Sequence, residues 1–343
     1  MTEPPLDGTK RERRPGSIEV ARLAGVSHQT VSRVLNNHPN VRETTRARVT
    51  AAIKVLDYRR NLAARALATG RTQTLGVVSF DTTLYGPAST VYGIEQAARA
   101  AGYFVTISSL RSIDRASILD ALDRLKSQSV DGIIVISPQK QAVQALEDLP
   151  TGVPVVAIGG GSEYAVPMAT IDQRAGTELA TQHLLDNGHA TVWHVAGPPD
   201  WLEAEARLES WQATLERAGA DVPQPIVGDW TARSGYQAGR IMARVTGLTA
   251  VYAANDHMAL GVLCALTEAG LRVPEDVSIV GFDDVPEAEF FSPPLTTVRQ
   301  DFGELGRRSI AMLLAQLSGR ADALPAPVVP TQLILRKSVS AVR

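Results

Sequence analysis

Residues Ser17–Asn36, SIEVARLAGVSHQTVSRVLN, read as two short helices around a tight turn. Val20, Ala21 and Leu23 supply apolar positions before the break at Ala24-Gly25-Val26. Ser27 then stands where a helix N-cap is wanted, its hydroxyl placed to accept a bond from an orphan amide. In the second helix Val31, Val34 and Leu35 follow the i, i+3, i+4 spacing of one buried face. His28, Gln29, Ser32 and Arg33 are left pointing outward, side chains that suit a major groove. Taken alone, the stretch equally fits a helical hairpin with a solvated polar face. The flanking sequence decides between the two.

Charge is the first flank. Residues 1–74 hold 14 Lys+Arg against 6 Asp+Glu, a net of +8, whereas the whole chain carries 34 against 36. The remainder therefore holds 20 against 30, a net of −10. A basic segment on an acidic body is the electrostatic footprint of a nucleic-acid reader. The 343 residues suffice for two to three domains with cores of their own. Cys264 is the only cysteine, which suits a reducing compartment. No apolar run approaches the roughly 20 residues that span a bilayer. Lys10, Arg11, Arg13 and Arg14 precede no apolar h-region, so residues 1–16 are expected to be a disordered tail on a cytoplasmic protein.

A third amphipathic helix is expected from about Glu43 to Leu56, with Val49, Ile53 and Leu56 on one face. Three helices in about 40 residues form a core that is marginal by itself. The alanine-rich segment Tyr58–Gly70 favours a helix of one or two turns ended by Gly70. So short a helix needs a partner or a second copy of itself. From Thr74 the pattern alternates. Strand-like runs lie at Leu75–Phe80, Phe104–Ser108, Gly132–Ile136, Val155–Ile158, Val192–Ala196, Ala250–Ala253 and Val277–Phe282, with a last one at Val328–Leu335. Helical patterns such as Val91–Ala101, Ile118–Gln128 and Glu203–Ala218 separate them. Continuous apolar strands between helices imply parallel sheets covered on both faces. Ligands bind such sheets beyond the carboxyl ends of the strands, where Leu84–Pro87, Asn255-Asp256 and Asp283-Asp284 fall.

Five segments, SHQTVSRVLNN (27–37), YRRNLAARALATGRT (58–72), AANDHMALG (253–261), VSIVGFDD (277–284) and PPLTTVRQDFGELG (293–306), together resemble the lactose/galactose repressor family of bacterial transcription factors. The similarity covers essentially the whole chain after residue 15. It implies a helix-turn-helix headpiece over 17–57, a hinge over 58–74, and a two-subdomain periplasmic-binding-protein-like α/β body over 75–343. The subdomains would be about 75–170 plus 302–327, and about 171–301 plus 328–343. The family further implies a homodimer whose headpieces read a pseudo-palindromic operator in double-stranded DNA.

By that resemblance His28, Gln29 and Arg33 read bases. Gln and Arg make bidentate bonds to adenine and guanine edges, each worth roughly 1–3 kcal/mol of discrimination. Thr30, Ser32 and Asn36 suit phosphate contacts, and Ser27, Asn61 and Ala64 belong to the same DNA-facing set. Leu67 matches a hinge leucine that wedges into the central base step. Two departures stand out. The opening Ser17-Ile18-Glu19-Val20-Ala21 is one residue shorter than the family's, and Arg60 replaces a hinge proline.

Within the body, the resemblance implies that Arg207, Asn255 and Asp283 hold sugar hydroxyls. Trp230 would lie against the pyranose, Leu84, Pro87 and Phe302 would close the apolar side, and Gln300 would complete the polar set. Trp230, Gln300 and Phe302, with the run GDWTARSGYQ (228–237), point toward a galactoside acting as inducer. Gly159 stands where some relatives carry a sugar-contacting aspartate. Each residue also has a bland reading: Asp283 as a loop cap, Trp230 as core, Arg207 as the partner of Glu203 or Glu209. No cofactor, metal or catalytic triad is expected. His183, His189 and His194 lack metal-ligand spacing, and GlyGlyGlySer at 159–162 lacks a dinucleotide-binding context. The absence of a C-terminal leucine-heptad helix before Arg343 suggests dimers rather than tetramers. A periplasmic sugar-binding protein, an enzyme of carbohydrate metabolism, and a repressor using another sugar or a corepressor remain as alternatives.

Overall fold

The computed structural model describes residues 15–35, 38–58, 66, 70–110, 114–136, 139–140, 152–160, 166–320 and 327–342. The chain divides into two compact units, Met1–Gly70 and Arg71–Arg343. The break falls inside the span expected for the hinge.

In the first unit, helices α1 (Ser17–Ala24), α2 (His28–Leu35) and α3 (Glu43–Val55) surround Val20, Ala21, Ala24, Val31, Val34, Val49 and Ala52. The turn between α1 and α2 needs Gly25, whose φ of 63 would strain any side chain. Ser27 caps α2 as expected, accepting from the Thr30 amide at 3.1 Å. One expected core position is corrected. Leu23 is 53% exposed and Ala24 is buried in its place. Ile18 is 63% exposed as well, because a three-helix unit has too little interior for all its apolar side chains. At the end of the unit, the Gly70 amide donates to the Ala66 carbonyl at 2.8 Å, and Gly70 has φ +65.

The described residues of the second unit form two six-stranded sheets. The strands are β1 (Thr74–Phe80), β2 (Phe104–Leu110), β3 (Gly132–Ile136), β4 (Val155–Ile158), β5 (Met168–Ile171), β6 (Trp193–Ala196), β7 (Ile226–Val227), β8 (Ala250–Ala253), β9 (Ser278–Asp283), β10 (Thr296–Arg299), β11 (Val328–Val329) and β12 (Gln332–Ile334). The first sheet runs β11-β5-β4-β3-β1-β2 and the second β12-β10-β9-β8-β6-β7. Pairing is parallel throughout, except that β12 lies antiparallel to β10. All five residues of β3 are buried, the signature of a strand covered on both faces. Burying an isoleucine such as Ile133 or Ile134 there contributes about 1.5–3 kcal/mol.

The chain crosses between the sheets at three places. β5 leads through Asp172 into α6 (Gln173–Asp186), whose Ala180 and Leu184 pack with Val280 and Phe282 of the second sheet. β10 leads through Gln300 and Asp301 into α10 (Phe302–Leu317), whose Leu305, Ile310 and Leu313 pack with Leu75 and Val156 of the first. The third crossing corrects the expected strand over 328–335. Its first two residues pair with β5 in the first sheet, and Gln332–Ile334 pairs with β10 in the second. The first sheet therefore extends past residue 327, the subdomain limit that the resemblance implied.

A cleft at the strand ends and an exposed face on the headpiece

All eight residues expected to bind ligand in the body, Leu84, Pro87, Arg207, Trp230, Asn255, Asp283, Gln300 and Phe302, line one cleft of about 710 Å³, open mouth included. They come from loops and helix starts that follow the strands. Asp283 ends β9, Trp230 precedes α8 (Ala232–Met242), and Asn255 caps α9 (Asp256–Glu268). Arg207 lies on α7 (Leu202–Ala218). Leu84 caps α4 (Tyr85–Ala100), and Pro87 lies in its first turn, so this helix starts earlier than expected.

The polar residues form a chain of hydrogen bonds. Arg207 Nε donates to Gln173 Oε1 at 2.9 Å, Gln173 Nε2 to Gln300 Oε1 at 2.9 Å, and Gln300 Nε2 to Asp283 Oδ1 at 2.6 Å. Arg207 Nη2 stands 3.8 Å from the same Asp283 oxygen. Its Nη1 donates to the Ala254 carbonyl, and its guanidinium lies over the Phe282 ring at 3.9 Å. Arg207 is only 4% exposed, and these partners are what make so buried a cation tolerable. Of the two acids offered as simple ion-pair partners of Arg207, Glu209 pairs with Arg174 instead, while Glu203 feels the charge of Arg207 without a hydrogen bond from it. Gln173 was not expected. It carries no periodic or motif signal, and its partners lie 34 and 127 residues along the chain.

Asn255 does two jobs at once. Its Oδ1 accepts from the Met258 amide at 2.8 Å as an N-cap, and its Nδ2 donates to the Trp230 carbonyl at 3.1 Å. That second bond holds Trp230 at φ 71, and Asp283 sits at φ 111, so two residues of the cleft occupy sparsely populated backbone. The Trp230 indole fits because position 197 is glycine. A β-carbon on Gly197 would fall 2.2 Å from Trp230 Cη2. Trp201 meets Trp230 edge-on, with centroids 5.6 Å apart, and adds a second indole to the wall. Gly159 also lines the cleft.

Two carboxyls of the cleft are held above their ordinary range. Burial pushes Asp283 up to about 6, opposed first by Arg207 and then by the bond from Gln300. Burial pushes Glu203 up to about 7, opposed by its own backbone amide and by Arg207. Behind them, Asp256 is also raised by burial and by Asp283, and it braces the loop after β9 through the Val285 amide and the Thr297 hydroxyl. Asp284 faces the other way, toward Arg299 and Arg336, each at 2.6 Å. His194 is core: stacked on Tyr252 at 4.7 Å and bonded to the Tyr252 carbonyl, it is pushed by burial down to about 4. Among the described residues no group of His, Cys, Asp or Glu could hold a metal ion. None of their helices is long and apolar enough to cross a membrane.

On the first unit, Ser27, His28, Gln29 and Arg33 are exposed and Thr30 and Ser32 half-buried, while Val31 and Val34 face inward. His28 Nε2 bonds Ser17 Oγ at 2.9 Å, which fixes the start of α2 against the start of α1. The short first helix is closed by the Glu19 carboxylate, which accepts from the Gly16 amide at 2.9 Å. Asn36, Asn61, Ala64 and Leu67 lie outside the described residues, as does Arg60.

Comparison with known proteins matches residues 18–61 to the model described as "Bacterial regulatory proteins, lacI family" and residues 181–339 to a periplasmic binding protein-like domain. The chain is 36% identical to the lactose operon repressor of Escherichia coli (strain K12) over 329 residues, covering 94% of this chain and 90% of that one. The crystal structure of the lac repressor dimer bound to operator and the anti-inducer ONPF superposes with a TM-score of 0.83 at 34% identity, covering 96% of this chain and 100% of that one. A complex of the transcriptional regulator CelR with cellobiose superposes with a TM-score of 0.69 at 33% identity, covering 95% of this chain and 100% of that one.

Proposed function

Because this chain belongs to the lacI family of bacterial regulatory proteins, we propose that it acts in the cytoplasm as a homodimeric repressor released from a pseudo-palindromic operator by a small sugar, a galactoside first. The family's members are DNA-binding transcription regulators with an effector-binding body. We read this body in the same way, as a sensor without catalysis. The observation that carries the reading is the chain Arg207–Gln173–Gln300–Asp283. Its two amides sit on two of the crossings between the sheets, so hydroxyls that enter the chain act directly on the segments that set the angle between the sheets. A sugar that favours the angle in which the headpieces are badly spaced must weaken operator binding by the factor by which operator weakens sugar binding.

Trp230, Gln300 and Phe302 support a galactoside. One observation favours a second reading: Trp201 beside Trp230 lengthens the aromatic wall to suit a β-linked glucose disaccharide, such as the cellobiose of the CelR complex. Operator affinity measured at fixed salt against galactosides, cellobiose and other glucosides, and pentoses separates them. Salt is fixed because phosphate contacts make affinity steeply salt-dependent. At least one galactoside or cellobiose is expected to weaken operator binding about tenfold or more. No response across the panel refutes the reading.

Sugar affinity should also depend on pH. A carboxyl raised to about 6 by burial holds its proton more tightly in the folded protein than in the unfolded one. It therefore lowers stability as pH rises from about 4 to about 6. Hydroxyls donating to the ionised form offset that cost, and protonation competes with them. Affinity is expected to be about tenfold weaker near pH 5 than near pH 7.5 by calorimetry. Tighter binding at the lower pH would contradict hydroxyl donation to Asp283.

A further inference from the structure

Asp131 is half-buried in the turn between α5 (Arg115–Ser127) and β3, and it does not line the cleft. Its carboxylate grips the stretch by which the chain enters the body. Oδ1 accepts from the Thr72 amide at 2.8 Å, and Oδ2 accepts from the Gln73 amide at 2.9 Å. The Thr72 hydroxyl lies between the Ser129 carbonyl at 2.8 Å and Asp131 Oδ1 at 3.1 Å, with one proton to give to either. The Asp131 amide in turn donates to the Thr74 carbonyl at 2.8 Å. Two more ties reach other elements of the first sheet's half of the body. The Gln73 carbonyl accepts from the Phe104 amide at 2.8 Å, and Arg71 Nη2 donates to the Leu317 carbonyl at 2.9 Å. Gln73 sits at φ 55, sparsely populated for a residue with a side chain, so the backbone there is held in place by its surroundings.

The position of this clamp gives it more to do than close a turn. Gly70 ends the first unit and Arg71 begins the second, so the clamp lies at the boundary itself. Thr74, Phe104 and Gly132 begin β1, β2 and β3, which places it at the starts of parallel strands. The cleft lies beyond the other ends of those strands, where Ile136 closes β3. Helix α10 covers the same path. Phe302 at its start lines the cleft, and Leu317 at its end holds Arg71. Close-packed strands and helix move as one body, so a displacement at the cleft carries the clamp with it. Only a carboxylate can serve two neighbouring amides with two equivalent acceptors. An asparagine keeps one acceptor and turns a donor toward the other amide.

On the reading of the protein as a homodimeric repressor, we infer that Asp131 is a positioning residue. Acting through Thr72 and Gln73, it fixes the direction in which the chain leaves each body, and so the spacing of the paired headpieces on DNA. Without it each headpiece still folds and still reads its half-site, but the body no longer dictates where the two stand.

The test compares the full-length protein with Asp131→Ala and Asp131→Asn, without sugar and at fixed salt. The probes are the operator selected from random duplex, a copy lengthened by a base pair at its centre, and random duplex itself. The wild type is expected to bind the lengthened copy about tenfold or more weakly, because its half-sites are displaced and rotated. In Asp131→Ala that spacing penalty should fall to less than about threefold, since a loosened exit tolerates either spacing. Affinity for the original operator should drop about tenfold, and affinity for random duplex should stay within about twofold of the wild type. Asp131→Asn should fall between the two. The Thr72 and Gln73 amides should exchange with deuterium about tenfold faster in Asp131→Ala. An aspartate that only braces its turn would lower the melt and leave the spacing penalty as it was, and that result overturns the inference alone. So does an operator affinity unchanged in Asp131→Ala. If the alanine variant does not fold, the spacing penalty of Asp131→Asn decides in the same way. Absence of a spacing penalty in the wild type overturns the inference together with the homodimeric reading.

Discussion

Replacing Asp283 with alanine is expected to yield a repressor that binds operator normally and no longer lets go when sugar is added. Asp283 is the acceptor at the end of the buried chain, holding Gln300 Nε2 at 2.6 Å with Arg207 Nη2 nearby. A carboxylate that takes two sugar hydroxyls contributes about 1.5–3 kcal/mol for each, so its removal should weaken sugar binding by about two to four orders of magnitude. Stability should fall as well: deleting the carboxyl relieves its desolvation penalty but leaves Gln300 one acceptor short and the buried Arg207 without a carboxylate, a loss of up to about 3–5 kcal/mol that the melt reads. Calorimetry of sugar binding and a thermal melt, both beside an operator titration, separate the cases. Normal sugar release by the variant would place the site elsewhere. Loss of operator binding with an unchanged melt would show that headpiece and body are not divided in labour as proposed. The conservative variant Asp283→Asn adds a further check, because an amide can accept at only one of its two positions.

Part of the cleft obeys a positional rule legible in the sequence, whereas Arg207, Trp230, Gln300 and Phe302 follow only from the family resemblance. Asn255 and Asp283 stand immediately beyond apolar strands, and ligands in parallel sheets bind there. Gln173 obeys a different logic. A glutamine at the start of a helix reads as surface, and only the fold brings it between Arg207 and Gln300. Glu203 misled for a related reason. An acid four residues before an arginine reads as an ion pair, whereas here both residues line the cleft and the arginine's hydrogen bonds go elsewhere. Among the strands, β5, β7, β10 and β11 were missed or merged because two to four residues carry too little periodicity to register. In the three-helix unit the apolar pattern matches the buried positions except at Leu23, where it outruns the available interior.

Replacing Arg33 with alanine is expected to abolish discrimination between operator and random DNA while leaving sugar affinity unchanged. Arg33 is exposed on α2, one turn after Gln29 and on the side opposite the buried Val31 and Val34. Because Arg33 is exposed, the melt of the variant should match the wild type within about 0.5 kcal/mol, the usual range for surface changes. A bidentate bond to a guanine edge supplies roughly 1–3 kcal/mol of discrimination, and a dimer would carry two of them. The expected loss of specific affinity is therefore about 1.5 to 4 orders of magnitude at fixed salt. Binding to random duplex should fall by much less, because it rests on the other cations of the +8 segment. Arg33→Lys distinguishes base reading from phosphate anchoring. Lysine keeps the charge but loses the planar fork, so a base reader stays impaired and a phosphate anchor recovers. Full recovery of specificity in the lysine variant, or equal losses on operator and random DNA in the alanine variant, would remove Arg33 from the base-reading set and leave His28 and Gln29 to carry it.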